Sequence, residues 1–242
     1  MERLIYSIIL AYFILGGIGF YLINRNKAPE IARKSYTKFG VYFIIINILF
    51  FSITIEPVVF HYLAILIVAV GSFELIRLFV KRKFQHTPFF VLSLVVFFIL
   101  SAGLLVFSRT ADNLILLTFL ILSIFDSFSQ ISGQLFGKTK IMPNISPNKT
   151  LGGLIGGTLI SLISVFLLKS LFRGTIPQLF LFTAGTVIFA FAGDVLASLY
   201  KRKYKVKDYS NLIPGHGGFL DRFDSLIAGG AWAAIAVHIL KI

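Results

Sequence analysis

Residues 88–108 read P88-F-F-V-L-S-L-V-V-F-F-I-L-S-A-G-L-L-V-F-S108, a run without a single charged side chain. A helix of about 20 such residues crosses the roughly 30 Å hydrocarbon core of a bilayer. Comparable runs lie on both sides of it, at about 4–23, 38–56 and 58–80, and at 113–137, 151–172, 177–200 and 218–240. The 242-residue chain is 57% hydrophobic and 14% charged, with a mean hydropathy of +0.90. A water-soluble domain cannot bury that much apolar surface. The expected fold class is therefore all-α, a polytopic membrane protein of about eight transmembrane helices. The first run is too long for a signal-peptide core and no small-residue cleavage site follows it, so it is expected to be a retained helix. The absence of cysteine excludes a disulfide framework and a thiolate metal site.

The formal net charge of +13 invites a nucleic-acid reading. In a membrane chain, Lys and Arg gather in the cytoplasmic loops instead, and nucleic acid is not expected as a partner. Placing the 24–37 loop inside and alternating from there puts Arg25, Lys27, Arg33, Lys34 and Lys38 on that side. Arg77, Lys81, Arg82 and Lys83 join them, as do Lys138, Lys140 and Lys149. The last inner region holds Lys201, Arg202, Lys203, Lys205, Lys207 and Arg222. Only Arg3, Arg109, Lys169, Arg173 and Lys241 of the 23 basic residues stay outside. This split fits eight spans in the cell membrane with both termini outside.

Polarity divides the chain. Residues 1–110 read as transmembrane scaffold, whose one intramembrane charge pair, Glu74 and Arg77, is expected to be a local i,i+3 ion pair at the interface. Residues 111–242 carry the chemistry. Ser123, Asp126, Ser127, Gln130 and Gln134 fall within an arc of about 100° on one helix face. Asp194, Ser198 and Lys201 share a face of the next-to-last span, and Asp221, Asp224 and Ser225 share one at the start of the last. Carboxylates gathered at one depth repel unless cations join them. Hard oxygen donors without a histidine cluster suit Mg²⁺, and the lysines and arginines nearby suit phosphate oxygens. Gly215, Gly217 and Gly218 are expected to leave backbone N–H groups free for an anion at a helix N-terminus. Pro143 and Pro147 make 138–150 an extended turn, Thr150 can cap the following helix, and the pairs Gly152/Gly156 and Gly153/Gly157 read as close helix packing rather than phosphate contact.

The segment from Ser198 to Asp224 resembles the signature of the phosphatidate cytidylyltransferase (CDP-diacylglycerol synthase) family. The matching positions are Ser198, Lys201-Arg202, Lys207-Asp208, Pro214, His216-Gly217-Gly218, Asp221-Arg222 and Asp224. Upstream, Gly193-Asp194, Phe136-Gly137-Lys138 and Ser146-Pro147-Asn148-Lys149-Thr150 also match, and an aspartate like Asp126 precedes them. The chain departs from the family in having Leu151-Gly152-Gly153 where Trp-Glu-Gly is usual, Ser127-Phe128-Ser129-Gln130 after Asp126, and Ala197 where an acid is common. These departures bear on the acceptor lipid and its head-group contacts.

The resemblance implies transfer of CMP from CTP to phosphatidate, giving CDP-diacylglycerol and pyrophosphate. It implies Mg²⁺ as cofactor, with a second metal ion left open, held by Asp194, Asp221, Asp224 and, less directly, Asp126. Asp221, Lys201 and Arg222 would be catalytic. Ser146, Lys149, Thr150, Ser198, Arg202, Lys207, Asp208, His216, Gly217 and Gly218 would contact substrate. Neutralising Asp221 is expected to spare folding, because a carboxylate in a span is itself costly. The partners are CTP, phosphatidate or a related lipid phosphate, and membrane lipids; homodimerisation is left open. Two other readings stand beside this one. The first is the same chemistry on an ether lipid or polyprenyl phosphate, or a CTP-dependent lipid kinase. The second is a non-catalytic lipid-binding protein or transporter, although a transporter should show paired inverted repeats. The charge alternation is directly testable: reporter fusions after Lys83, Thr139 and Lys205 should all report the cytoplasm, and an external signal from any one of them breaks the eight-span arrangement.

Overall fold

Prolines mark where four of the helices begin. The computed structural model describes residues 2–26, 28–215 and 217–242, so Lys27 and His216 lie outside the described residues. Its helices are α1 (Glu2–Asn24), α2 (Pro29–Thr54), α3 (Pro57–Lys81), α4 (Thr87–Phe107), α5 (Asp112–Phe136), α6 (Leu151–Ser164), α7 (Ile176–Lys203) and α8 (Leu220–Leu240). Proline occupies the first turn of α2, α3, α4 and α7. There its missing N–H is an orphan anyway and its fixed φ suits the helix. Thr175 and Gln178 add a reciprocal capping box to α7.

The chain is 77% helical and 4% strand. Among the described residues, α2, α3 (from Val58), α4, α5, α7 and α8 are long and apolar enough to cross a membrane. With α1 and α6 the described residues form eight helices, in keeping with the expected number. The chain is an integral membrane protein.

Three local expectations change. Helix α2 begins at Pro29, nine residues before the expected start at 38, so most of the expected 24–37 loop is helical. The run at 151–172 is not one helix: α6 has 14 residues and is about 21 Å long, shorter than the hydrocarbon core. After Ser164 the chain turns, and a 3-10 turn at Lys169–Leu171 tucks Leu171 and Phe172 into the core. The 138–150 loop is a β-hairpin rather than an extended turn. β1 (Lys140–Met142) pairs antiparallel with β2 (Ser146–Thr150), with Lys140 opposite Thr150 and Met142 opposite Ser146. Pro143 lies in the connection between the strands, where no ladder N–H is needed.

Helix α8 is the centre of the bundle and packs against α7, α4, α5 and α3. Its middle is a run of small residues, Ala228 to Ala231 and then Ala233, Ala234 and Ala236, all buried. In lipid, apolar surface gives helices no preference for each other, so small residues that let backbones approach closely set the contact. A Cβ on Gly103 of α4 would stand 2.7 Å from the Cα of Ala231, and one on Gly193 of α7 would stand 2.6 Å from the Cβ of Ala228. The glycines of α6 do the same against α5. A Cβ at Gly153 would meet the Ser129 carbonyl at 2.6 Å, and one at Gly157 would meet the Phe125 carbonyl at 2.9 Å. Their role in close packing is as expected from the sequence. The result is a bundle in which one end of α5, α7 and α8, the hairpin and the 204–219 loop come together.

Candidate active site

The loop from Tyr204 to Phe219 joins α7 to α8 and is shaped by close approaches. Gly215 and Gly217 have φ of +75° and +86°, and Ile213 N–H donates to the Gly217 carbonyl at 2.9 Å to close a tight turn. A Cβ on Gly217 would come within 2.8 Å of the Asp208 side chain. Gly218 has no room for one either: Asp221 Oδ2 would lie 2.8 Å away and Glu74 Oε1 3.0 Å away. These glycines let the loop backbone close onto carboxylates.

Asp221 is the first of them. It is 8% exposed, and Oδ1 pairs with Lys201 Nζ, itself 7% exposed. Oδ2 accepts from Gly218 N–H at 2.8 Å and Tyr209 N–H at 3.0 Å. One carboxylate thus ties α7, the loop and the first turn of α8 together. Lys201 also lies 5.2 Å above the Tyr209 ring. Burial, then the nearby carboxylates of Asp224 and Asp221, push the Tyr209 hydroxyl well above the ordinary tyrosine range. It stays a neutral donor to the Ala197 carbonyl at 3.3 Å.

Glu74 is the second, and sequence reasoning gave it the wrong partner. It is fully buried on α3, and instead of pairing locally with Arg77 it receives Phe219 N–H at 2.9 Å, Leu220 N–H at 2.7 Å and the Ser210 hydroxyl. Arg77 is exposed. The signal available in the sequence was an acid inside an otherwise apolar run; its distant partner was not legible. Of the three glycines expected to leave an N–H free for an anion, Gly218 does not: its N–H donates to Asp221, and the next two along the chain, Phe219 N–H and Leu220 N–H, donate to Glu74. The N-terminus of α8 does attract anions, as its dipole dictates, but they are the protein's own.

A second group of residues faces the open side. Asp194 is half-buried on α7, and Lys149 of β2 reaches it at 2.5 Å while lying 4.5 Å from the Phe191 ring. Ser198 Oγ donates to Asp194 Oδ1 at 3.3 Å. Asp126 of α5 and Asp224 of α8 both lie within electrostatic range of Asp194, and Arg222 lies within electrostatic range of Asp126. Asp224 Oδ1 accepts the Ser225 N–H at 2.7 Å. Arg202 braces the hairpin against the loop, donating to Ile145 carbonyl at 3.1 Å and Val206 carbonyl at 2.8 Å. Thr150 caps α6 through Gly153 N–H at 3.2 Å, and Ser146 sits at the start of β2. Lys207 and Arg222 are exposed. A cavity of about 170 Å³ between α3, α4, α7 and α8 has apolar walls, including Leu75, Phe97 and Ile227, with Tyr209 and Asp224 among its lining.

The donor set can be tested against the metal that the resemblance implies. Asp126, Asp194 and Asp224 offer hard oxygens from three helices, partly open to solvent, and a lysine ammonium already sits on one of them. Among the described residues no three acidic or histidine groups close into a ready metal cage. Mg²⁺ usually takes only one or two carboxylates, with waters and substrate phosphates completing its shell. This open carboxylate group fits that habit. Asp221, by contrast, is engaged on both oxygens by Lys201 and the loop backbone.

That engagement changes what Asp221→Asn should do. The substitution leaves the Lys201 ammonium buried without a counter-charge, so it should cost about 3–5 kcal/mol of stability rather than spare folding. Thermal unfolding in detergent checks this: Asp221→Asn should melt well below the wild type, and adding Lys201→Met should restore part of the loss. A single variant as stable as the wild type contradicts the pairing.

Comparison with known proteins matches the same part of the chain. Residues 79–240 match the model of the cytidylyltransferase family. A phosphatidate cytidylyltransferase of Rickettsia typhi is 39% identical over 136 residues, covering 52% of this chain and 60% of the relative. One of Staphylococcus haemolyticus is 44% identical over 125 residues, covering 50% and 48%, and one of Bacillus subtilis is 42% identical over 104 residues, covering 42% and 39%. The chain thus spans about half the length of the curated relatives it matches. The matched segment runs from the end of α3 to the end of α8 and contains every carboxylate and cation of the site except Glu74, so the chain belongs to the cytidylyltransferase family.

Proposed function

We propose that this chain transfers CMP from CTP to phosphatidate, forming CDP-diacylglycerol and releasing pyrophosphate. The observation that carries this reading is the convergence of Asp126, Asp194 and Asp224 with Lys149 and Arg222 at one end of the bundle, beside an apolar cavity. A polar cluster next to an apolar space suits a substrate that is anionic at one end and lipid at the other. The names of the relatives point the same way.

In this reaction a phosphate oxygen of the lipid attacks the α-phosphorus of CTP, and the bond from that phosphorus to the bridging oxygen of the β-phosphate breaks. The nucleophile is already anionic, so no strong general base is needed. The difficulty is bringing two polyanions together, and positioning with charge neutralisation solves it. Lys149, Lys207 and Arg222 supply cationic contacts to phosphate oxygens, with Ser146, Ser198 and Asp208 lining the polar side. Arg202 and Thr150 act by holding the loop and hairpin in place. Asp194 and Asp224, with Asp126, would hold Mg²⁺, which supplies further neutralisation of the phosphates when bound. Lys201 and Asp221 position the loop and α8. His216, which the family resemblance puts at the substrate, lies outside the described residues.

The remaining expectations complete the proposal. The N-terminal part, 1–110, supplies scaffold and residues 111–242 the catalytic region, with Glu74 and α4 reaching across. The basic loops, and with them the site, face the cytoplasm, and both termini lie outside. Purified protein in detergent, given CTP, Mg²⁺ and a panel of lipid phosphates, should release pyrophosphate with phosphatidate. CTP should be used well and ATP poorly. Asp194→Asn and Asp224→Asn should each lower turnover by about 10²–10³, whereas Lys205→Ala should change it several-fold at most. Near-normal turnover and Mg²⁺ dependence in both aspartate variants would contradict the mechanism. Equal use of ATP would point to a general nucleotide site, and preference for another lipid phosphate would change the acceptor but not the chemistry.

A further inference from the structure

Glu74 lies outside the segment that matches the cytidylyltransferase family, which begins at residue 79. It is 0% exposed, deep on the α3 face that meets the loop. A buried carboxylate without an adjacent cation is costly unless hydrogen bonds hold its charge. Here the loop and α8 supply them. Oε2 takes Leu220 N–H, and Oε1 takes Phe219 N–H and the Ser210 hydroxyl. Phe219 and Leu220 are the cap and first residue of α8, so their N–H groups carry the positive end of its dipole. Ser210 Oγ accepts Leu212 N–H at 3.1 Å in turn, so the contact propagates into the loop.

We infer that Glu74 is a positioning residue for the reaction, fixing from α3 both ends of the segment 210–220. That segment lies between Lys207-Asp208 and Asp221-Arg222-Asp224; of these, Lys207 and Arg222 are assigned above to phosphate and Asp224 to metal. Glu74 touches no substrate in this account. It acts by holding the first turn of α8 where Asp221 meets Lys201 and Asp224 faces Asp194. α3 reinforces the arrangement, since the Leu75 carbonyl accepts the Tyr200 hydroxyl at 2.9 Å. The catalytic role rests on the proposed cytidyl transfer; the anchoring of the loop does not.

The test uses the full chain in detergent and two readouts. The first is limited trypsin digestion at Lys205 and Lys207, on the loop that Glu74 anchors. Glu74→Gln keeps the shape but replaces one acceptor oxygen with an NH₂ group facing backbone N–H. It should be cut about tenfold or more faster than wild type, since a hydrogen bond to a charged group typically holds by that factor. Arg77→Ala, one turn away and exposed, should be cut at the wild-type rate. The second readout is CTP-dependent pyrophosphate release. Glu74→Gln should raise the KM for CTP severalfold as well as lowering kcat, whereas a variant that is merely partly unfolded lowers kcat and leaves KM unchanged. Glu74→Asp should recover part of both effects. If Glu74→Gln does not yield a monodisperse protein, Ser210→Ala carries the test, with a smaller shift in the same direction. Wild-type digestion and wild-type KM in the monodisperse variants overturn the inference. If the wild type turns over no lipid phosphate, the proposed reaction fails, and the digestion alone decides whether Glu74 anchors the loop.

Discussion

The site depends on keeping an ammonium and a carboxylate together where neither can be well hydrated. Lys201 lies in the last turn of α7 and Asp221 in the first turn of α8, and both are buried. Either charge alone would be strongly unfavourable there. Together, with Gly218 and Tyr209 donating to the second carboxylate oxygen, they leave little unsatisfied. The loop between them must follow a path that brings its backbone to that oxygen. Glycine at 217 and 218 is what the path requires, because a side chain at either would collide with Asp208, Asp221 or Glu74.

Glu74 extends the same logic across the bundle. The N-terminus of α8 attracts negative charge, and the protein meets that demand with two of its own carboxylates, one local and one from α3. This leaves the exposed cations and the more open carboxylates for substrate. The site thus has a structural face, closed and internally neutralised, and a chemical face built from Asp126, Asp194, Asp224, Lys149 and Arg222. The small residues of α8 contribute to both, since they let α4 and α7 approach it closely.

Much of this was legible in the sequence, for physical reasons. Runs of about 20 apolar residues specify helices in lipid almost by themselves, so six of the eight helices lie within a few residues of the apolar runs, while α2 starts nine residues earlier and α6 stops eight residues sooner. Helical spacing put Asp194 with Ser198 on one face, and the two are hydrogen-bonded; Asp221, grouped with Asp224 by the same spacing, is instead taken up by Lys201 and the loop backbone. The glycine pairs of α6 announced close packing. What failed was whatever depended on long-range partners. Glu74 has Arg77 three residues away, and only the fold shows that its partners lie some 140 residues further on. Free N–H groups at a helix start are the local default, yet here side chains from elsewhere occupy them. The short α6 and the hairpin before it also escaped, because apolar length does not reveal where a helix stops and turns back under a core.

The central claim is that the 204–219 loop is held by the protein's own carboxylates rather than being a solvated connector. Residue-resolved hydrogen–deuterium exchange on the full chain in detergent tests it most directly. The amides of Tyr209, Gly218, Phe219 and Leu220, which donate to Asp221 and Glu74, should exchange roughly 10–100-fold more slowly than those of Lys207 and Asp208 in the same loop, without any ligand added. Equal and rapid exchange across the whole loop would contradict the account.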